Sequence, residues 1–542
     1  MTKQRGFPPG AGWIPLTVAI VVAVIVASIN VIPQFRTQVV GSTGQRVADS
    51  GGATDNGGGG TDSSGGSAGG NTAPGSGGGS SGGPQARRIA GTKGQAGSGG
   101  TSGGGQAGVA GGTAGGAAAG GGAGGTSGGG GGTCAAGQNG GNTAPGVSAS
   151  QIDIATTDVT TGVGSGFLGE ATQGMQAAIN EANSQGGICG RHIVLHSIND
   201  GWDGPTGETD IQNFINQGNV FALVGEPDSE GLEAAITSKT IDRAQIPVVG
   251  TDGMLSGQYY DPYVWPVAAS TVSNMHIIAQ YAHDKLGASS FGIVYDNKYK
   301  FGAEGAAAFD QEVKRLTGHG ISGDGGGSGC NGAFCGVSSD SNDYSTQIKS
   351  LNDACQPCDV VVMLLEPGPM GTWMQGESGD TGWYKHLMGG EPLFDANMAT
   401  NCRQDCNGMT VWTGYKPDIQ PFDAQKPVYT FAQSLQSVCN TCDLKNEFTE
   451  GAYLGTKLFI AACQRVGANL TRDALQQALA QGGFDLGLTS TPLQFGTSFP
   501  RVANQSMTAY SDNASGSFNG WNFDNVGYIN DPAANQDYAK PS

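Results

Sequence analysis

Positive charge is scarce in this chain. Its 26 Lys and Arg stand against 45 Asp and Glu, for a formal net charge of −19. The deficit lies downstream: residues 1–145 carry 7 basic and 3 acidic residues, the remainder 19 and 42, a net −23. Phosphate recognition needs a basic footprint, so nucleic-acid binding is excluded. The acidic surface reads as a solvated one, with recognition of a cationic ligand as the alternative. Catalytic signatures are sparse too. The folded region has no HExxH, no GxSxG nucleophile elbow and no Walker loop, the spacings that would announce a metalloprotease, a hydrolase or a nucleotide site. Gly164-Ser-Gly166-Phe-Leu-Gly169 has the GxGxxG spacing, but several loop residues part it from the preceding strand. Asp200 lies more than thirty residues on, where a dinucleotide site wants an acid after ~20. His192 and His196 have the spacing of a helical zinc pair, but on a strand they stand about 13 Å apart and cannot share a metal. The chain reads as no enzyme, with no cofactor and no metal.

Glycine is abundant, but unevenly so. Residues 51–145 hold 42 of the 97 glycines, too little apolar surface to offset the entropy of ordering. As a coil this stretch has a root-mean-square span of roughly 50–60 Å and could extend on the order of 300 Å. It reads as a tether. Ahead of it, Trp13 to Ile32 is a run of 20 residues without a charge, long enough to cross a bilayer. Lys3 and Arg5 precede the run, which puts Met1 on the cytoplasmic side. An uncleaved anchor is the reading. A cleaved signal peptide is the rival, with a longer apolar run and a poorer cleavage site than that needs.

Eleven cysteines fit an oxidising compartment. Cys330/Cys335, Cys355/Cys358, Cys402/Cys406 and Cys439/Cys442 form close pairs, and Cys134 with Cys189 makes a plausible fifth. The two CxxC units are too far apart for a zinc ribbon, and neither is followed by His, so local disulfides fit better than metal. Cys463 is then the odd one.

From residue 151 strand and helix signals alternate. Ile152–Ala155, His192–Ser197, Val220–Val224 and Ile246–Val249 read as strands. Gly169–Ser184, Asp210–Gln217 and Glu230–Ala244 read as helices between and after them. After Trp265–Ser270 the pattern restarts with helix Asn274–Leu286, strand Phe291–Tyr295, helix Gly302–Leu316, a Gly/Cys-rich insertion over 317–343, helix Tyr344–Asn352 and strand Val360–Leu365. Strand Met409–Thr413 and helices Phe448–Val466 and Thr471–Ala480 follow. Such alternation implies parallel sheets with right-handed crossovers, and a series that ends and restarts implies two similar α/β lobes.

Several segments carry a resemblance: the opening strand, loop and helix from Ile152 through Gly186-Gly-Ile-Cys-Gly-Arg191, then Val224-Gly-Glu-Pro-Asp-Ser-Glu-Gly231, Ile246-Pro-Val-Val-Gly250 and Val294-Tyr-Asp296…Tyr299-Lys-Phe-Gly302. In order and spacing they resemble the type I periplasmic-binding fold, in its branched-chain amino-acid (leucine/isoleucine/valine)-binding family. The resemblance spans most of residues 146–535. It implies two lobes joined by three crossings, near Val267–Ser270, Met409–Pro417 and Asn504–Phe518, with a ligand between the lobes. It places Ser229 at a helix start where a ligand carboxylate would sit. Thr251 and Asp252 fall in a loop that faces the amino acid, where Gly250-Thr-Asp-Gly-Met254 replaces the family's small residues. Phe301 stands for a second-lobe aromatic, and Glu391 for an acid that pairs with the ligand's amine. The resulting division is 1–11 cytoplasmic, 12–35 anchor, 36–145 linker, 146–269 first lobe, 270–408 second lobe, 409–503 return to the first, and 504–542 second lobe and tail. The implied function is extracytoplasmic capture of a small, amino-acid-like ligand for an ABC permease. A surface structural or sensory protein reusing the fold is the alternative.

Overall fold

The computed structural model describes residue 134 and residues 138–541, except for 322–328, 356, 378–381, 396, 417–426, 512–521 and 524–525. The expected anchor at Trp13–Ile32, most of the tether and parts of the last two crossings lie outside the described residues. Among the described residues no helix is long and apolar enough to cross a membrane.

Two sheets carry the fold. In the first, β1 (Gln151–Asp158), β2 (His192–Asn199), β3 (Ala222–Val224), β4 (Val248–Val249) and β5 (Val264–Trp265) are all parallel, in the order β2-β1-β3-β4-β5. β3, β4 and β5 are fully buried apolar strands, the pattern of a parallel sheet covered on both faces. In the second sheet, β6 (Phe291–Asp296), β8 (Phe334–Val337), β9 (Cys358–Leu364), β10 (Tyr384–Gly389) and β11 (Thr410–Thr413) run parallel as β8-β6-β9-β10-β11. β7 (Gly329–Asn331) edges β8 antiparallel. On the other side β12 (Ser506–Ser511) pairs antiparallel with β11, and β13 (Asn522–Phe523) and β14 (Ile529–Asn530) pair with β12. Both sheets thus share one winding order, with the switch between the first and third strands of each.

Sequence signals explain most of the helices. Asp203 caps Gly204–Gln217 through Thr206 N, six residues before the expected start, and Gly218 ends it in the left-handed conformation, as helix termini demand. Ser270 caps Thr271–Leu286 and Asn446 caps Glu447–Val466. The single helix expected over Glu230–Ala244 is two, Ser229–Thr237 and Thr240–Ala244, parted at Lys239 with φ 61°. The 317–343 insertion is not only loop. It supplies the β7–β8 hairpin, whose facing Cys330 and Cys335 are disulfide-bonded. Cys134–Cys189, Cys355–Cys358, Cys402–Cys406 and Cys439–Cys442 are bonded as well, and Cys463 is free and buried. The boundary expected at residue 409 falls too early, because Thr410–Thr413 completes the second sheet.

The chain passes between the sheets at three places, and these meet. A Cβ built on Gly414 would lie 3.0 Å from Ala269 Cβ and 3.1 Å from Asn504 Nδ2, whose amide donates to Gly414 O at 3.0 Å. Beside them Glu447–Val466 packs against the end of β4 backbone to backbone. Gly250 has φ +81°, and a Cβ on Gly455 would come within 2.3 Å of Gly250 O. That contact sets the first turns of the helix over the ends of the strands. Helix propensity alone favours Ala over Gly by ~1 kcal/mol. The clash reverses the sign: Gly455→Ala is expected to destabilise by about 1–3 kcal/mol, the range of overpacked cores, read as a lower urea midpoint. A raised midpoint would show that the two backbones do not touch.

Candidate functional site

In open α/β sheets, ligands bind beyond the carboxyl ends of the strands at the switch in strand order. Here both sheets aim those ends at one another, and acids follow nearly every strand. Glu226 follows β3, Asp252 follows β4, Glu366 follows β9, and Glu391 follows β10 after Gly390. Between the sheets lies a cavity of about 10 Å³ lined by Gly225, Pro227, Asp252, Glu391, Tyr415, Glu447 and Phe448, among others. That is room for about one water-sized group.

The acids around it are held by neutral donors. Asp252 Oδ1 accepts from Gln258 Nε2 at 2.9 Å and from Met254 N at 3.2 Å. Glu391, 3 % exposed, accepts from Thr271 Oγ1 at 2.6 Å. Glu447, also 3 % exposed, accepts from Gly414 N at 3.5 Å. The second carboxylate oxygen of each, Oδ2 of Asp252 and Oε2 of Glu391 and Glu447, is buried without a hydrogen-bond partner.

The sequence-expected residues divide. Asp252 and Glu391 line the cavity; Ser229, Thr251 and Phe301 do not. Ser229 opens the helix Ser229–Thr237, but its Oγ accepts from Trp202 Nε1 at 3.1 Å. The cap of that helix is Asp228, whose carboxylate accepts from Gly231 N at 3.0 Å. Thr251 is turned to Gln258 Oε1. Phe301 is fully buried and stacks on Trp202 at 5.9 Å between centroids.

Trp202, Glu447 and Tyr415 were not among the expected site residues. Trp202 follows β2 with φ 68°, a strained conformation for a bulky residue. It stacks on Tyr299 of the second sheet's side at 3.9 Å and 22°, so one first-lobe ring fills the space between the lobes. The signal in the sequence was Gly201-Trp202-Asp203, a large aromatic in a polar turn. Polar contacts around it also join the lobes. Lys300 Nζ bonds Glu233 and lies 3.2 Å from Glu304, Glu304 accepts from Ser256 N at 2.8 Å, and Asn397 Nδ2 donates to Gly166 O at 3.0 Å.

Burial drives the acids' titration. It pushes Glu226 from 4.5 to about 8, against the hydrogen bonds from Thr157. It lifts Asp252 from 3.8 to about 7 and Glu391 from 4.5 to about 7. Glu447 is pushed well above 4.5 by burial first and by Glu391 next. Asp228 rises for the same reason, with Asp200 beside it. A carboxyl raised in the fold keeps a proton that the unfolded chain has released. From about pH 4.5 to about 8 the native state therefore binds more protons, and stability falls as pH rises. Asp359, held low by Lys385, contributes the opposite slope, but only below its ordinary 3.8. The full-length protein without ligand is expected to melt at a higher temperature at pH 5 than at pH 8. A melting temperature that climbs across this window would mean that the acids are ionised and paired in the fold.

A family model described as periplasmic binding protein matches residues 151–515. No curated protein matches the chain. Among solved structures, a fatty acid ABC transporter substrate-binding protein of Thermomonospora curvata is 18 % identical, with TM-score 0.62, over 74 % of this chain and 98 % of that one. A leucine-binding protein of Thermotoga maritima is 16 % identical, with TM-score 0.57, over 70 % and 98 %. The branched-chain amino acid transporter substrate-binding protein of Streptococcus pneumoniae, solved with isoleucine, is 15 % identical, with TM-score 0.55, over 69 % and 99 %. At these identities the structures speak for the fold: two parallel-rich sheets facing across a cleft. With the family model covering most of the folded part, this chain belongs to the periplasmic binding protein family.

Proposed function

We propose that this protein is an extracytoplasmic solute-binding protein that closes two lobes over a small, amine-bearing and in that sense amino-acid-like ligand, and presents it to an ABC-type permease. The observation that carries this reading is the cavity at the facing strand ends, lined from β4, from the turn after β10 and from the start of Glu447–Val466 by Asp252, Glu391 and Glu447. A ligand touching both lobes favours the closed state by the difference in its affinity for the two states. In this reading residues 146–269 and 414–503 form one lobe, and 270–413 with 504–541 the other, pivoting where Ala269, Gly414 and Asn504 meet. Asp252 and Glu391 contact the amine, while Ser229, Thr251 and Phe301 form the walls behind them. The uncharged run Trp13–Ile32 and the glycine-rich stretch after it support attachment to the membrane by a long tether.

A second reading, a surface structural or sensory protein, is favoured by Trp202, which is 2 % exposed and stacked across the cleft on Tyr299. Two measurements on the full-length protein separate the readings. A bound solute at 100 times its Kd adds about 2.7 kcal/mol of stability, so a thermal-shift screen of amines, amino acids, amides and carboxylates is expected to single out one class. Trp202→Ala removes an aromatic pair worth about 0.5–1.5 kcal/mol beyond its buried area, and is expected to raise the radius of gyration in small-angle scattering until that solute is added. No shift with any class, and a radius that Trp202→Ala leaves unchanged, would mean fixed lobes and decide for the structural reading.

A further inference from the structure

We propose that the cleft selects an organic ammonium ion that carries no carboxylate, and so rejects ordinary amino acids. This deepens the solute-binding reading and rests on it. The first ground is what lines the cavity. Asp252, Glu391 and Glu447 each bring one buried oxygen without a partner, and no Lys, Arg or His is among the lining residues. Glu391 and Glu447 are each 3 % exposed, so water does not compensate them, and a buried acid of this kind is satisfied by hydrogen bonds and an opposite charge together. Tyr415 and Phe448 complete the wall, and aromatic faces attract cations.

The second ground is what the cavity denies an anion. A helix start attracts a carboxylate through its free amides and its dipole. At Ser229–Thr237 that place is taken from within: Asp228 caps the helix through Gly231 N, and the Ser229 hydroxyl is engaged by Trp202. An incoming carboxylate would find the Gly231 amide already engaged by Asp228, itself fully buried. A zwitterion would satisfy the three acids with its amine and leave its own carboxylate unpaired. An ion such as a primary alkylammonium or a diammonium satisfies the acids and brings nothing that needs the helix start. The cavity of about 10 Å³ admits one head group in the closed state, so an alkyl chain enters only with displacement of the aromatic stack around Trp202. Among the described residues no group of three or more His, Cys, Asp or Glu is placed to hold a metal ion.

The test is calorimetric titration of the full-length protein at pH 8 with four probes: butylamine, 1,4-diaminobutane, leucine and hexanoate. One or both amines are expected to bind, with leucine and hexanoate weaker by about 100-fold or more, a gap of about 2.7 kcal/mol. Glu391→Gln and Glu447→Gln keep the shape and remove the charge; each is expected to weaken the amine by about tenfold or more. A melting scan of each variant without ligand separates loss of binding from loss of fold, and Asp252→Asn is the replacement if either variant unfolds. Leucine or hexanoate binding more tightly than both amines would overturn the cation assignment and leave solute capture standing. Amine binding that the variants leave unchanged would overturn the assignment of the site. If none of the four probes binds and a broader solute screen also gives no shift, both this inference and the reading beneath it fall.

Discussion

A carboxylate removed from water without a cation beside it is unstable as an anion, and keeping it protonated at neutral pH costs about 1.4 kcal/mol for each unit its pKa must rise. The centre of this molecule is built on that constraint. Asp252, Glu391 and Glu447 face one small cavity and accept from an amide side chain, a hydroxyl and backbone amides, all neutral donors. Each bond offsets part of the desolvation, and none supplies a charge. In the solute-binding reading proposed above, closing the lobes creates an unfavourable electrostatic state that the rest of the structure must outweigh or that an incoming charge must relieve. Where the strand ends point, where the hinge residues meet and what fills the cleft all matter because they decide how that state is met.

What outweighs it in the closed form is mainly apolar. The Trp202 ring packs with Tyr299, Phe301 and Phe167, burying large aromatic area in favoured stacked and edge-on geometries. Part of that gain is spent locally, because a tryptophan at φ 68° carries strain of about 1–3 kcal/mol. Strain of this kind persists only when surrounding contacts over-determine it, and here those contacts come from both lobes. In the proposed open form, the contacts and the reason for the strain would disappear together.

The sequence reading reached the fold further than the site, for physical reasons. Alternating buried strands and capped helices are local patterns, and they located most elements from Ile152 to Ala480 within a few residues. Two of the strands it missed lack that pattern, whereas helix Pro427–Val438, also missed, buries Val428, Phe431 and Leu435 on one face. β8 lies inside a Gly- and Cys-rich insertion, and Tyr384–Gly389 alternates polar residues at its start before it is buried. The site is different in kind. Asp252 and Glu391 were singled out by resemblance, each inside a short motif, Gly250-Thr-Asp-Gly-Met254 and Gly389-Gly-Glu391. Glu447 is simply an acid in the first turn of a long helix, and nothing near it in sequence separates it from Glu450 one turn on. Long-range packing of its helix, including the Gly250–Gly455 contact made across some two hundred residues, brings it to the cavity. Ser229 shows the converse. Its helix-start position was legible, but the tryptophan that occupies its hydroxyl is contributed by the turn after β2, and hydrogen-bond occupancy is not a property of a motif.

The two lobes carry the same winding order, and each places buried acids at its switch, Glu226 and Asp228 in one and Asp296 and Glu366 in the other. Ion pairs do little to hold such faces together. The Lys300 ammonium that joins Glu233 and Glu304 at the rim is 42 % exposed, and exposed pairs contribute at most about 1 kcal/mol. Closure therefore balances a strained aromatic stack against carboxylates that resist burial. A two-state element poised in this way is moved by any partner that treats its states differently, and about 5.5 kcal/mol of differential affinity carries it from nearly all open to nearly all closed. In the proposed reading, a single cation placed among three desolvated acids would interact strongly in the closed form and weakly in an open one, where water would screen it. On that reading, the acids that make closure costly are also what makes it responsive, and the same residues would set both the position of the equilibrium and the charge of the molecule able to shift it.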